Sequence, residues 1–152
     1  MLSEHPVPTL IAQEAEKHVG SVMHKGVIGC KPSTSLDEVI RIIVDTNVRV
    51  LVVTGPDEEA LGVITQIDLL PFYGKDRTGL KARDVMSGKI YAVPPEMLLT
   101  DAISLMLDRR ITHLVVSENG DVGRRAVGVL TTGHVIKEMR GSKWMWYFSP
   151  EP

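Results

Sequence analysis

Apolar residues Leu36, Val39, Ile40, Ile43 and Val44 fall at i, i+3, i+4, i+7 and i+8, the spacing of one face of an amphipathic helix. Leu99, Ala102, Ile103, Met106 and Leu107 repeat it. A short β-leaning run precedes each helix: "GVIGC" at 26–30, closed by Pro32, and "KIYAV" at 89–93, closed by Pro94 and Pro95. Ser35 with Glu38 makes a capping-box pair for the first helix, whereas Leu98 at the matching place leaves the second less well capped. Two more β runs follow each helix. They are "RVLVVT" and "LGVIT" around a turn with Gly55 and Pro56, then "THLVVS" and "AVGVLT" around Asn119 and Gly120. A further helix follows each pair, cut by Pro71 in the first case and by Gly141 in the second.

The pattern is therefore written twice. Met86 follows Met23, Leu99 follows Leu36 and Leu114 follows Leu51, each by 63 positions. At Gly62 and Gly128 the offset becomes 66, so about three extra residues enter the loop "SENGDVGRR", and insertions collect in surface loops. Each copy is a β-α-β-β-α unit of about 55 residues, too small to bury its own sheet. The predicted fold is α+β, with two such repeats packed sheet to sheet about a pseudo-two-fold axis. The predicted boundaries are an N-terminal helix and extension over 1–18, a first repeat over 19–73 and a linker over 74–81. A second repeat covers 82–140, and an aromatic tail covers 141–152.

The 152 residues and 43% hydrophobic share suit one compact globular protein. A net charge of -2 and a pI of about 6.2 supply no field to hold a polyanion, which argues against nucleic acid as a partner. Cys30, the single cysteine, lies in an apolar stretch and reads as a buried, inert thiol, in keeping with a reducing cytoplasm. The start "MLSEHPVP" lacks the features of a signal peptide, and the apolar runs stop short of the about 20 residues that span a bilayer. No membrane association is expected, and the expected location is cytoplasmic.

The paired "VM" at Met23 and Met86, the strand with its proline, the amphipathic helix, "LVV", and a closing phrase G-h-h-T-x-x-D (h apolar) resemble the cystathionine β-synthase (CBS) domain family. Two spaced copies in this order resemble its tandem pair, the Bateman module, over about residues 19 to 140. The resemblance implies a pseudo-symmetric disk with two clefts between the repeats, a homodimer of disks, and a regulatory rather than catalytic role. The implied ligand is an adenosyl compound: AMP, ADP, ATP or S-adenosylmethionine.

The closing phrase stands as "GVITQIDLL" from 62 and as "GVLTTGHVI" from 128. It places Thr65 at a strand end and Asp68 in the first turn of a helix, so a hydroxyl and a carboxylate face one opening. A carboxylate accepts from both hydroxyls of a ribose cis diol, and the free N–H groups of the helix start receive phosphate or ribose oxygens. The other reading is that T-x-x-D is simply a good helix start; the two are compatible. His134 stands where Asp68 has its counterpart, and a neutral imidazole has one acceptor only. The second cleft is then empty or weak, holds a different ligand, or is structural.

By resemblance, the base in the first cleft would lie against Lys89, Ile90 and Tyr91, closed in by Leu114 and Ile64. Tyr91 reads either as a stacking partner or as core packing. The reciprocal cleft would use Gly26, Val27 and Ile28 with Thr131 and His134. Family members place basic residues just before "LVV", matching Arg49 and His113; these and Arg110 serve phosphate or are merely solvated or interfacial. No metal site is expected, because His134 has no ligand spacing with His5, His18, His24 or His113.

At the ends, "TLIAQEAEKH" reads as a short helix capped by Thr9, with Ile11, Ala15 and His18 on one side. Trp144, Trp146 and Phe148 alternate with Met145 and Tyr147 in the tail, a cluster suited to covering its own domain, a dimer interface or a partner. The sequence has no Ser/His/Asp or Cys/His pair at usable spacing, no metal quartet and no Walker-type loop, which argues against an enzyme. Two functions compete: a stand-alone adenosyl-ligand sensor acting on a protein partner, and a ligand-free dimerisation or interaction module.

Overall fold

Three apolar clusters organise residues 12–140, the part of the chain described by the computed structural model. The N-terminal reading around Thr9 and Ile11 and the aromatic tail lie outside the described residues. In chain order the elements begin with α1 (Ala12–Ala15), α2 (Val19–Val22), β1 (His24–Lys25), β2 (Gly29–Cys30), α3 (Leu36–Thr46), β3 (Val50–Thr54), β4 (Ala60–Thr65) and α4 (Gln66–Leu69). A 3-10 turn over Leu70–Phe72 follows, then α5 (Ala82–Val85), β5 (Ala92–Val93), α6 (Leu99–Arg109), β6 (His113–Ser117), β7 (Ala126–Thr131) and α7 (Thr132–Arg140). One sheet has the order β2-β3-β4 and the other β1-β7-β6-β5. No described helix is long and apolar enough to cross a membrane.

The amphipathic helices form where the periodicity places them. Leu36, Val39 and Ile43 of α3 pack on Leu51, Val53 and Ile64 of the first sheet, and Leu99, Ala102 and Met106 of α6 pack on Leu114, Val116 and Leu130 of the second. Ser35 Oγ accepts the Glu38 N–H at 3.2 Å, whereas Leu98 supplies no side-chain cap. Because strand side chains alternate, the opposite faces of both sheets meet each other. Val50, Val52, Ala60 and Val63 pack there against Val115, Ala126 and Val129. The longer second hairpin absorbs the three-residue insertion: Ser117 pairs with Ala126, where the first hairpin pairs Thr54 with Ala60.

The opening segment of each repeat belongs to the core of the other. Val19 donates its N–H to Met97 O at 2.9 Å and lies in the α6 cluster, while Ala82 donates to Thr34 O at 2.8 Å and lies in the α3 cluster. β1 pairs antiparallel with β7, and Ser87 reciprocates with an isolated bridge to Val63 of β4. This exchange explains the glycine of the repeated phrase. A Cβ on Gly62 would stand 2.5 Å from Met86 Sδ and 2.9 Å from Ser87 O; one on Gly128 would stand 2.6 Å from both His24 O and Met23 Sδ. The "VM" of one repeat thus runs across the bare backbone of the other's glycine.

Two predicted strands are shorter than the sequence pattern indicates. Only Gly29–Cys30 of "GVIGC" and Ala92–Val93 of "KIYAV" form strands, each parallel to the neighbour that follows its helix. The helix after β4 is four residues long and tightens into the 3-10 turn holding Pro71, which has no N–H for an α-helical bond. Its counterpart α7 has no proline and runs nine residues.

Candidate ligand-binding site

The short strands leave two segments that cross from one sheet to the other. Residues 24 to 28 leave β7 at His24, paired with Val129, and reach β3 where Val52 N–H donates to Ile28 O at 3.1 Å. Residues 87 to 91 leave β4 at Ser87 and reach β6 where Val115 N–H donates to Tyr91 O at 3.0 Å. Residues 24 to 28 line a cavity beside the helix start at Thr131, through His24, Gly26 and Ile28, while residues 87 to 91 make the corresponding crossing from β4.

In the first cleft the cap reading is realised. Asp68 Oδ2 accepts the Thr65 N–H at 2.8 Å and the Thr65 hydroxyl at 3.0 Å, satisfying an orphan donor at the helix start. Both bonds land on Oδ2, so Oδ1 lies outside the cap. His113 stands near enough to feel the Asp68 charge; burial holds its imidazole below the ordinary 6.5, with the carboxylate pulling the other way. His113 Nδ1 is buried with no hydrogen-bond partner among the described residues. The Tyr91 ring is half-buried and lies under the Arg109 guanidinium, 5.6 Å from its centroid, a cation–π contact.

In the second cleft His134 takes over the cap. Its Nδ1 accepts the Thr131 N–H at 3.0 Å, and its own N–H donates to Thr131 Oγ1 at 3.3 Å. The imidazole is held below its ordinary value, first by burial and then by the electrostatic influence of His24, Lys137 and Arg49. A cavity of about 300 Å³ opens here, lined by His24, Gly26, Ile28, Arg49, Thr131 and His134 among others. Between the two helix starts runs a groove of about 690 Å³ that reaches Thr65, Gln66, Thr131 and Thr132 and is flanked by Arg49, Arg110 and His113.

The structure thus gathers Gly26, Ile28, Thr131 and His134 around one cavity, and Arg49, Thr65 and His113 along one groove. Three expectations change. Ile64 and Leu114 are fully buried in the helix-facing clusters, because strand alternation turns them away from the cleft. Val27 and Ile90 likewise pack against the sheet–sheet cluster. His113 is not the counterpart of Arg49: His113 pairs with Thr131 as Val50 pairs with Thr65, so the residue matching Arg49 is Thr112. Lys89 is exposed on the crossing segment. Two lining residues carry no local sequence signal: His24, brought to the cavity by its pairing with Val129, and Asn47, whose left-handed C-cap conformation (φ 55) accompanies its place at both the cavity and the groove.

The CBS domain model matches residues 19–75 and again 82–141. The chain belongs to the CBS domain family. As a CBS pair it is similar to an uncharacterised protein of Methanopyrus kandleri, 28% identical over 123 residues, 78% of this chain and 61% of that protein. Among solved structures it is similar to CBSX2 in complex with AMP, with a TM-score of 0.70 and 27% identity over 80% of this chain and 95% of that one. The CBS domain pair of protein MJ0100, in complex with 5'-methylthioadenosine and S-adenosyl-L-methionine, shares the fold at a TM-score of 0.73 and 18% identity, over 84% of this chain and 98% of that one. The chain spans 61%, 52% and 34% of the length of the curated relatives it matches.

Proposed function

We propose that this CBS pair is a regulatory module that binds an adenosine-containing ligand at the first cleft and passes its occupancy to a protein partner. The observation that carries the reading is the state of Asp68: its Oδ2 completes the cap while Oδ1 lies outside it. An ionised carboxylate has about four lone-pair sites, so the cap leaves capacity for the two donors of a ribose diol. His113, whose Nδ1 has no partner among the described residues, and the cations Arg49 and Arg110 flank the adjoining groove, where a phosphate chain extends. The AMP bound by CBSX2 and the adenosyl ligands of MJ0100 support this ligand class.

Calorimetric titration with AMP, ADP, ATP and S-adenosylmethionine tests the reading. Hydrogen bonds to a charged group contribute roughly 1.5–3 kcal/mol, so Asp68→Ala is expected to weaken the best ligand about 10- to 100-fold, and Asp68→Asn less. Unliganded melts correct for the lost cap. If Asp68→Ala binds as tightly as the parent, the carboxylate is only a helix cap and the ribose assignment fails.

A further inference from the structure

We propose that the second cleft is a phosphate site, seating a phosphate group, free or carried on a nucleotide, against His134 and Arg49, where the first cleft seats a diol. This rests on the reading above in taking both helix starts as ligand-facing, and it departs from it by giving the two clefts opposite hydrogen-bond chemistry. The Thr131 N–H is a donor and nothing else, so the His134 Nδ1 that accepts it at 3.0 Å carries no proton. The proton of the neutral ring is then on Nε2. At the place where Asp68 presents carboxylate oxygens, His134 presents one N–H and no spare acceptor. A diol, which needs acceptors, loses its anchor; an oxyanion, which needs donors, gains one.

The surroundings have the matching sign. The 300 Å³ cavity is lined by Arg49 and His24 as well as His134, with no carboxylate among its described lining residues. Lys137, from the following turn of α7, adds its positive charge to that of Arg49 at His134. Glu138 on the same helix lines the adjoining surface groove, where Lys17 Nζ engages it at 3.1 Å. Thr131 and Asn47 add neutral polar groups to the wall. The volume exceeds that of a phosphate group, and the groove that shares Arg49 and Thr131 with the cavity adds the room a nucleotide needs.

Two isosteric variants separate this chemistry from folding. His134→Asn keeps an acceptor for the Thr131 N–H and a donor for the cleft; His134→Asp keeps the acceptor, removes the donor and adds a negative charge. The probe is inorganic phosphate, titrated at constant ionic strength against the backbone amide resonances of Gly26, Thr131 and His134. Saturable shifts are expected in the parent and, at similar affinity, in His134→Asn. His134→Asp and Arg49→Gln are each expected to weaken binding at least about tenfold, the loss of one hydrogen bond to a charged group. Adenosine and AMP identify the source: AMP far tighter than phosphate marks a nucleotide phosphate, and equal affinity marks the free anion. Asp68→Ala should leave the phosphate shifts intact, so this site and the diol site fail separately. Phosphate held by His134→Asp as tightly as by the parent, no saturable shift in the parent, or adenosine matching AMP at these amides would each overturn the proposal.

Discussion

Thr65 and Thr131 end their strands with a backbone N–H that needs an acceptor, and the chain meets that need with a carboxylate at Asp68 and an imidazole at His134. Only the second is a base whose bonded form is uncharged, and this has a pH consequence. Both His134 and His113 are held below the ordinary 6.5, chiefly by burial. The native state therefore binds fewer protons than the unfolded state as the pH falls through this range. Their contribution to stability is complete above about pH 6.5 and is lost as the pH drops through 6.5 toward the lowered native values. Thermal melts from pH 7.5 to 5.5 are expected to show this loss in the parent and a smaller one in His134→Asn, which keeps the cap and does not titrate. Equal pH slopes for the two proteins would remove His134 from the account.

Among the elements, the most exacting junction is where each opening segment crosses the other repeat's phrase at Gly62 or Gly128. Filling well-packed space costs about 1–3 kcal/mol, but the two sites differ in what must yield. At Gly62 the nearest obstruction is the flexible Met86 side chain, with backbone at 2.9 Å; at Gly128 the His24 carbonyl is already at 2.6 Å. Gly128→Ala is expected to lower the melting temperature more than Gly62→Ala, and Gly62→Ala with Met86→Ala should recover part of the single-variant loss. Thermal melts of the three variants check the order. Because β1 floors the second cleft, Gly128→Ala is also expected to disturb phosphate binding there more than diol binding in the first.

For the whole molecule, the pseudo-two-fold axis leaves matching apolar residues exposed on the two helix pairs. Val44 and Leu107 are 70% and 73% exposed, and Leu70 and Ile136 are 65% and 62% exposed. Beside the second pair lies an apolar groove of about 600 Å³, lined by Leu107, Ile136 and Met139 with Ile103 and Ile111. Exposed patches of this kind mark interaction surfaces, and their symmetric placement fits a second copy of the chain. The expected solution species is a homodimer, and Leu107→Glu with Ile136→Lys is expected to shift it to the 16.7 kDa monomer in sedimentation. A parent that sediments as a monomer at tens of micromolar would remove the dimer.

The amphipathic helices, the strand pairs and the T-x-x-D helix start were legible in the sequence because each rests on spacing within about ten residues, and the two-fold repetition was legible as the recurrence of those local patterns after 63 to 66 positions. Pro71 likewise announced the short α4. What the pattern left open is long-range. The exchange of opening segments joins residues far apart in the chain, His24 with Val129 and Val19 with Met97 among them, and only the assembled sheets show why Gly62 and Gly128 must be bare. Ile64 and Leu114 belong to helix-facing cores because of which strand face meets which layer, whereas the match of Arg49 to Thr112 rather than His113 already follows from the 63-position offset. The sequence also showed His134 standing in the place of an aspartate. Tertiary structure decided which ring nitrogen meets the Thr131 N–H and that Arg49 and His24 share the cavity wall with His134, and with that the chemistry proposed for the second cleft.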